Sequence, residues 1–171
     1  MIHLYCGDGK GKTTAAVGLA VRAAGNGLRV LFVQFLKARP TGEISVLASI
    51  DPITVVRAKS STKFTYEMTG EEIRKLSEEN TEALDRAFQT ASRGEADLLI
   101  LDEVITAVTS DVIAEESLRR QIEAFDSECE LVMTGRSPER WMIEAADYVT
   151  DMEKIRHPFD RGVEARRGIE F

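Results

Sequence analysis

A glycine-rich stretch near the start of the chain constrains the fold more than any other feature. It runs from Cys6 to Thr14 and reads Cys-Gly-Asp-Gly-Lys-Gly-Lys-Thr-Thr. A short apolar run precedes it and a helical pattern over 13–24 follows it, giving the order strand, glycine-rich turn and helix. The backbone N–H groups of such a turn can surround an anion, and the helix N-terminus adds partial positive charge. The stretch therefore predicts a phosphate-binding loop.

One glycine of this loop is displaced from the strict phosphate-loop pattern. That pattern has a glycine, four further residues and then Gly-Lys-Thr, which here is Gly11-Lys12-Thr13. The first position holds Cys6, and the glycine comes one residue later, at Gly7. A turn that merely begins a helix is the alternative interpretation. The Lys12 ammonium suits a phosphate oxygen and the Thr13 hydroxyl suits a magnesium ion, so we expect the chain to bind a nucleoside polyphosphate.

Short apolar runs alternate with helical patterns along the rest of the chain. This alternation is typical of an α/β fold, with a mostly parallel sheet and helices on both of its faces. Several runs are continuously apolar, as in strands that are buried on both sides. The sequence has no internal repeat or linker, and we expect a single domain over residues 1–171. The predicted strands are 2–5, 30–35, 53–57, 98–101, 131–134 and 148–150.

Two helix starts can be predicted from capping signals. Thr69 and Glu72 have the spacing of a capping box, and an apolar face at helical spacing follows as far as Gly94. Ser137 precedes Pro138, a residue that is favoured at the first position of a helix. We therefore expect one long helix to begin at Thr69 and another helix to begin at Pro138.

Composition and charge exclude several classes of function. The formal net charge of −7 argues against a broad electrostatic contact with nucleic acid. Cys6 and Cys129 have neither metal-binding spacing nor a disulfide framework, so we expect two buried free thiols. No signal peptide opens the chain, and no apolar run reaches the length of a membrane span. These features predict a cytoplasmic protein that contacts neither nucleic acid nor a membrane.

Two acids follow the predicted strand 98–101. They are Asp102 and Glu103, and the carboxyl ends of parallel strands face the ligand crevice of such a sheet. Carboxylates there can hold Mg²⁺ directly or through water. Solvated acids at a strand end are the alternative, but the phosphate loop in the same chain favours a metal site. The sequence leaves open which of the two acids contacts the ion.

Other polar residues are weaker candidates for the site. Arg136 follows the predicted strand 131–134, and its planar guanidinium suits phosphate. Arg22 on the first helix and Lys37 after the second strand are further candidates, with solvent exposure as the alternative for each. We expect His3 to pack in the core, whereas the role of His157 is open. The sequence shows no nucleophile–base–acid set, so water or a second substrate must attack.

The ordered set of motifs resembles the P-loop ATP:corrinoid adenosyltransferases over residues 4–171. The displaced glycine is the form that the loop takes in this family. The matching segments include GDGKGKTTAA at 7–16, RAAG at 22–25, VQFLK at 33–37, FTY at 64–66, LDE at 101–103, TGR at 134–136, ADYVT at 146–150 and HPF at 157–159.

The resemblance implies a transferase that moves the 5′-deoxyadenosyl group of ATP to cobalt(I) of a reduced corrinoid and releases triphosphate, in adenosylcobalamin synthesis or salvage. It further implies that ATP is held reversed, with the far end of the triphosphate in the loop. Lys12 and Arg136 are the implied catalytic residues, and Thr13, Asp102 and Glu103 the implied ligands of Mg²⁺. The ATP-binding residues implied are Gly7, Asp8, Gly9, Lys10, Gly11, Lys12, Thr13, Thr14 and Arg22.

The resemblance also assigns the corrinoid site to two aromatic residues, Phe64 and Tyr66. In the family, aromatic side chains here lie against the corrin and displace the lower axial ligand of cobalt, which makes cobalt(II) easier to reduce. Some relatives carry tryptophan where this chain has Tyr66. A reduced flavoprotein as electron donor and a homodimeric assembly are further implications of the resemblance.

Two other functions remain as alternatives at this point. An ordinary nucleotide hydrolase or kinase would attack the terminal phosphate and give phosphate or ADP. An ATP-gated corrinoid carrier or sensor would bind both ligands without turnover. Asp8, where the family commonly has asparagine, adds negative charge near the triphosphate and keeps the carrier in consideration.

Overall fold

The computed structural model describes residues 1–61, 67–126 and 128–170. Its centre is a six-stranded sheet of order β3-β2-β4-β5-β1-β6, in which every adjacent pair is parallel. All six predicted strands are confirmed, with ends within one residue of the expected positions. The strands are β1 (Ile2–Cys6), β2 (Val30–Gln34), β3 (Ile53–Arg57), β4 (Leu98–Asp102), β5 (Glu130–Thr134) and β6 (Tyr148–Asp151).

Six α-helices occur in the described residues, and three of them were not predicted. The unpredicted helices are α2, α4 and α5, each of nine residues or fewer, too short to show a clear helical period. In the long helix α3, the Thr69 side chain accepts from Glu72 N and the Glu72 carboxylate accepts from Thr69 N, confirming the capping box. The helices are α1 (Lys12–Gly25), α2 (Gly42–Leu47), α3 (Gly70–Ser92), α4 (Val104–Thr109), α5 (Glu115–Glu123) and α6 (Arg140–Ala145).

The prediction that a helix begins at Pro138 is wrong. Helix α6 begins at Arg140, with Glu139 as its N-cap. Ser137 has a φ of 49°, in the left-handed region, so the chain is still turning at the residue before the proline. An N-cap residue has extended backbone geometry, which Ser137 lacks and Glu139 has.

The two faces of the sheet have separate apolar clusters. On one face, Ala16 and Ala20 of α1 pack on Phe32, Ile100 and Val132, and both alanines are fully buried. The small alanine side chains let the first helix lie close to the strands. The other face carries the larger cluster, which includes residues of α3, α4 and α5. Both cysteines are free and buried, as expected from the sequence.

Strand order places the loop, the acids and Arg136 along one edge. Strand β5 lies between β4, which ends in Asp102, and β1, which leads into the glycine-rich loop. After β6 the chain returns along this carboxyl edge as a C-terminal strap, residues 152–170, and Met152 O accepts from Gly9 N at 2.5 Å. None of the helices in the described ranges is long and apolar enough to cross a membrane.

Candidate functional site

The displaced glycine has a structural cause. Gly7 has a φ of 100°, and a Cβ atom there would overlap the Asp151 carboxylate and lie 2.6 Å from Met152 O. Cys6, at the position where the strict pattern has glycine, is instead the last residue of β1 and has a buried side chain. The chain after β6 thus packs directly on the loop, and glycine is required at residue 7.

We expect Gly7→Ala to disrupt the loop and to abolish nucleotide binding. The added methyl group must displace either the backbone at Met152 or the loop itself, and both a positive φ and a close contact oppose it. Gly18→Ala is the matched control, because a Cβ at Gly18 in the middle of α1 would meet nothing within 4 Å. That control should raise helix stability by up to about 1 kcal/mol. Titration with ATP and thermal unfolding of both variants measure the contrast, and normal ATP affinity in Gly7→Ala would contradict it.

Lys12 is a buried cation held inside the loop. Its Nζ donates to Gly7 O at 2.6 Å and to Gly9 O at 2.8 Å. Burial lowers the pKa of Lys12, and the nearby positive charge of Arg136 lowers it further, while Glu103 and Asp8 raise it. No carboxylate of the described residues is within ion-pair distance of Nζ. An anion in the loop would stabilise both Lys12 and Arg136, as a phosphate site requires.

Asp102 links the strand ends to the first helix. One carboxylate oxygen accepts from Thr13 Oγ1 at 2.9 Å and from Thr134 Oγ1 at 2.7 Å, and the other accepts from Gln34 Nε2 at 3.2 Å. The residue is fully buried. Burial raises the pKa of the Asp102 carboxyl, as does the negative charge of Glu103, whereas the hydrogen bonds from Thr134 and Thr13 lower it. Asp102 therefore fixes the Thr13 hydroxyl at the start of α1.

Glu103 lies at the surface of the crevice beside Asp102. Its backbone is left-handed, with a φ of 62°, and its N–H donates to Thr134 Oγ1 at 2.9 Å. The carboxylate accepts from Thr106 Oγ1 at 2.8 Å and lies 3.7 Å from Lys37 Nζ. One fifth of the side chain is exposed. Glu103 can thus reach a ligand, whereas both Asp102 oxygens already accept hydrogen bonds from protein groups.

The chemistry of these donors fits magnesium shared with a nucleotide. Thr13, Asp102 and Glu103 offer hard oxygen atoms, the ligand type that Mg²⁺ prefers, and Mg²⁺ commonly binds one or two carboxylates together with phosphate oxygens and water. Among the described residues, no group of three or more His, Cys, Asp or Glu side chains could hold a metal alone. A donor set of two carboxylates and one hydroxyl suits an ion that also binds the oxygens of a polyphosphate.

The structure brings Arg136 to the loop but not Arg22. The Arg136 backbone N–H donates to Thr106 Oγ1 at 3.1 Å, and its charge acts on Lys12. Arg22 is exposed in the last turn of α1, ten residues beyond Lys12 and so about 15 Å further along the helix axis. Phe64 and Tyr66, the predicted corrinoid contacts, lie outside the described residues.

Two cavities flank the loop, and the C-terminal strap lines both. One, of about 330 Å³, lies on the α1 and β2 side, and the other, of about 430 Å³, lies on the β5 and β6 side. Sequence reasoning missed the strap as part of the site, although the HPF segment at 157–159 was a signal for it. Lining residues of the first include Lys10, Thr13, Thr14, Lys37, Thr41, Glu43 and Glu170, and those of the second are Asp8, Arg136, Lys154, His157, Phe159 and Asp160.

Comparison with known proteins gives a consistent result over the whole chain. A family model described as ATP:corrinoid adenosyltransferase BtuR/CobO/CobP matches residues 1–171. A corrinoid adenosyltransferase of Escherichia coli (strain K12) is 34% identical over 176 residues, covering all of this chain and 85% of the relative. The corrinoid adenosyltransferase of Pseudomonas aeruginosa is also 34% identical, over 172 residues, covering all of this chain and 83% of the relative.

Solved structures with the same fold are more distant in sequence. A KaiC-like protein of Pyrococcus horikoshii superposes with a TM-score of 0.57 at 18% identity, covering 89% of this chain and 71% of that one. ATPases 2 and 3 of EssC from Geobacillus thermodenitrificans give a TM-score of 0.52 at 14% identity, covering 98% of this chain and 34% of that one. The α/β fold with a P-loop, predicted from the sequence, is therefore confirmed.

Proposed function

The chain belongs to the ATP:corrinoid adenosyltransferase family, and we propose that it transfers the 5′-deoxyadenosyl group of ATP to cobalt(I) of a reduced corrinoid, releasing triphosphate, in adenosylcobalamin synthesis or salvage. The observation that carries the proposal is the family match over the full 171 residues. The geometry supports it, because the glycine-rich loop and two neighbouring cations, Lys12 and Arg136, are arranged to receive a polyphosphate.

The chemistry needs charge stabilisation more than proton transfer. Cobalt(I) supplies the electron pair that forms the bond to C5′, and the C5′–O bond breaks with its electrons leaving on the triphosphate. Lys12 and the loop amides, together with Arg136, stabilise the charge that grows on that leaving group. Magnesium, which Thr13, Asp102 and Glu103 would hold, supplies further Lewis-acid stabilisation when bound. No side chain has to deprotonate the nucleophile.

Strand order suggests how ATP lies along the crevice. The segment 58–61, which precedes Phe64 in the chain, begins beside β2, where Ala58 N donates to Gln34 O at 2.9 Å. If the corrinoid lies at this segment, the C5′ atom must face the β2 side, where the cavity of about 330 Å³ can receive the nucleoside. The triphosphate then runs past Asp102 and Arg136 toward β1 and β6, in the reversed orientation that the resemblance implies.

Several finer properties belong to the same proposal. We place Mg²⁺ with the substrates, and the ATP contacts at Gly7, Asp8, Gly9, Lys10, Gly11, Lys12, Thr13 and Thr14. Arg22 is not included, because its position is remote from the loop. The resemblance supports a homodimer, a reduced flavoprotein as electron donor, a cytoplasmic location and a single domain over 1–171.

The assigned corrinoid contact gives a prediction for Phe64. We expect Phe64→Ala to slow turnover about tenfold or more when the assay starts from cobalt(II), a loss of at least ~1.4 kcal/mol, because water can then ligate the lower face of cobalt. Turnover from chemically prepared cobalt(I) should fall much less. Tyr66→Phe is the control, since it removes only a hydroxyl. Equal losses of Phe64→Ala in the two assays would contradict the assigned role.

The test of the function is an anaerobic incubation with magnesium, ATP and chemically reduced cobalamin. A light-sensitive cobalt–carbon product with one triphosphate per transfer would support the transferase. ADP and orthophosphate without alkylated cobalt would instead indicate the hydrolase. Binding of both substrates without any product, with cobinamide as well as cobalamin, would favour the carrier.

A further inference from the structure

A histidine that the proposed mechanism does not use lies beside the phosphate loop. His157 belongs to the C-terminal strap and lines the cavity of about 430 Å³ together with Asp8 and Arg136. Its Nδ1 accepts from Phe159 N at 3.2 Å and so caps the short 3-10 helix Pro158–Arg161. Because Nδ1 accepts, the neutral ring carries its proton on Nε2. That Nε2–H has no hydrogen-bond partner among the residues that the structure describes.

The charges that line this cavity suit an anion next to Arg136. Lys154 and Asp160 are 2.9 Å apart and neutralise one another. Arg136 then remains as a cation with no ion-pair partner within the described ranges, close enough to Lys12 to lower its pKa. The opposing charge is Asp8, whose side chain is exposed. An anionic oxygen near Arg136 and His157 would have donors from β5 and from the strap.

The order of the strands indicates which part of the substrate reaches the cavity at His157. If C5′ faces the β2 side, the triphosphate extends across β4 and β5 to β1, and its terminal group arrives at the side where β6 and the strap begin. Adjacent strands are about 4.8 Å apart, so the two spacings from β4 to β1 make about 10 Å, which is about the length of an extended triphosphate from C5′ to its terminal oxygens. The cavity at His157 thus lies at the phosphate end.

We propose that His157 is a further substrate-binding residue, whose Nε2–H, with Arg136, holds the terminal phosphate group of ATP and of the released triphosphate. This inference rests on the proposed function and adds a contact from the strap to it. The strap would then close on the phosphate end of the site through two contacts, Met152 O on the loop and His157 on the ligand.

Two substitutions separate the donor of His157 from its capping acceptor. His157→Asn keeps a side-chain oxygen that can cap the helix but removes the distal N–H. His157→Gln brings an amide N–H close to the position of Nε2 but removes the capping nitrogen. Arg161→Gln is the control for charge, because Arg161 is an exposed strap cation that does not line the cavity.

The measurement is the affinity of the full chain for inorganic triphosphate with magnesium, by calorimetric titration. We expect His157→Asn to bind about tenfold or more weakly, as for a lost hydrogen bond to a charged group, and His157→Gln and Arg161→Gln to stay within about threefold of the parent. Normal binding by His157→Asn overturns the proposal, as do equal losses in the two His157 variants, because an amide N–H near the position of Nε2 would then make no difference to the affinity. A parent chain that does not bind triphosphate also overturns it.

Two further outcomes test whether the cavity binds a carboxylate of the corrinoid in place of a phosphate, and whether the transferase function can fail while the phosphate contact holds. If His157→Asn binds triphosphate normally but raises KM only for a corrinoid with free carboxylates, the cavity holds an acceptor side chain and the phosphate assignment is wrong. If the parent chain binds triphosphate through His157 yet forms no adenosylated corrinoid, the transferase function fails while the phosphate contact is supported.

Discussion

Replacement of Lys12 by alanine is expected to lower the rate of adenosyl transfer by about a hundredfold or more. The ammonium is the only buried cation of the loop in the described structure, and stabilisation of a leaving triphosphate by one such group corresponds to about 3 kcal/mol of the barrier. Lys12 Nζ donates to two loop carbonyls, and the charged oxygens of a phosphate would be better acceptors for it.

Stability measurements separate this loss from unfolding. Burial lowers the pKa of Lys12, so the folded state disfavours its charge and the ammonium reduces stability at pH values below its unfolded pKa, about 10.4. Lys12→Ala removes that penalty together with two hydrogen bonds, and we expect little change in melting temperature at neutral pH. Lys75→Ala, an exposed lysine of α3, is the matched control and should keep the parental rate. Near-normal turnover by Lys12→Ala would contradict the assigned role.

The sheet could be predicted because its strands leave a strong signal in the sequence. Strands β2 and β4 are buried at every position, and continuous apolar runs mark such strands clearly. The phosphate loop and the acids after β4 could be predicted for a related reason, since the ends of parallel strands meet at one edge. The short helices gave no comparable signal, because six to nine residues hold at most about two and a half helical turns.

The detailed geometry of the site could not be predicted, because it depends on contacts between residues that are distant in sequence. The displaced glycine could be noted but not explained, since its cause is Asp151 and Met152 packing on Gly7 from the far end of the chain. Arg22 is a different case, because a motif match says nothing about distance along a helix, and its contact with ATP stays a prediction. The path of the strap could not be predicted either, as most of its residues are exposed and the strap carries no periodic burial pattern.

Asp102→Asn is expected to remove most activity while stabilising the unliganded protein at neutral pH. Burial raises the pKa of the Asp102 carboxyl above that of an unfolded chain, which is about 3.9. Between these two pKa values the unfolded state ionises more readily than the folded state, so the penalty grows as pH rises and is constant above the folded pKa. Asparagine has the same shape and no charge, so it removes this penalty.

The hydrogen bonds of Asp102 can largely survive the change. The asparagine oxygen can still accept from Thr13 and Thr134. The Gln34 amide can rotate to accept from the new N–H, although this rotation breaks its hydrogen bond to Glu43. Activity should nevertheless fall about a hundredfold, because a carboxylate beside the metal is lost from a water-poor site. The melting temperature of Asp102→Asn should exceed that of the parent by an amount that increases from about pH 4 upward.

Glu103→Gln is the control that shows whether the two acids have different tasks. Its side chain is partly exposed and lies 3.7 Å from Lys37 Nζ. The change to glutamine therefore removes an ion pair, but it does not relieve a burial penalty comparable to that of Asp102. We expect Glu103→Gln to need more magnesium for half-maximal rate without any gain in melting temperature. Rates over a magnesium titration and thermal unfolding from pH 4 to 8, with and without magnesium and ATP, measure both effects. An Asp102→Asn variant that is less stable than the parent at pH 7 would contradict the burial penalty, and one that is equally active would contradict a role of the carboxylate in adenosyl transfer.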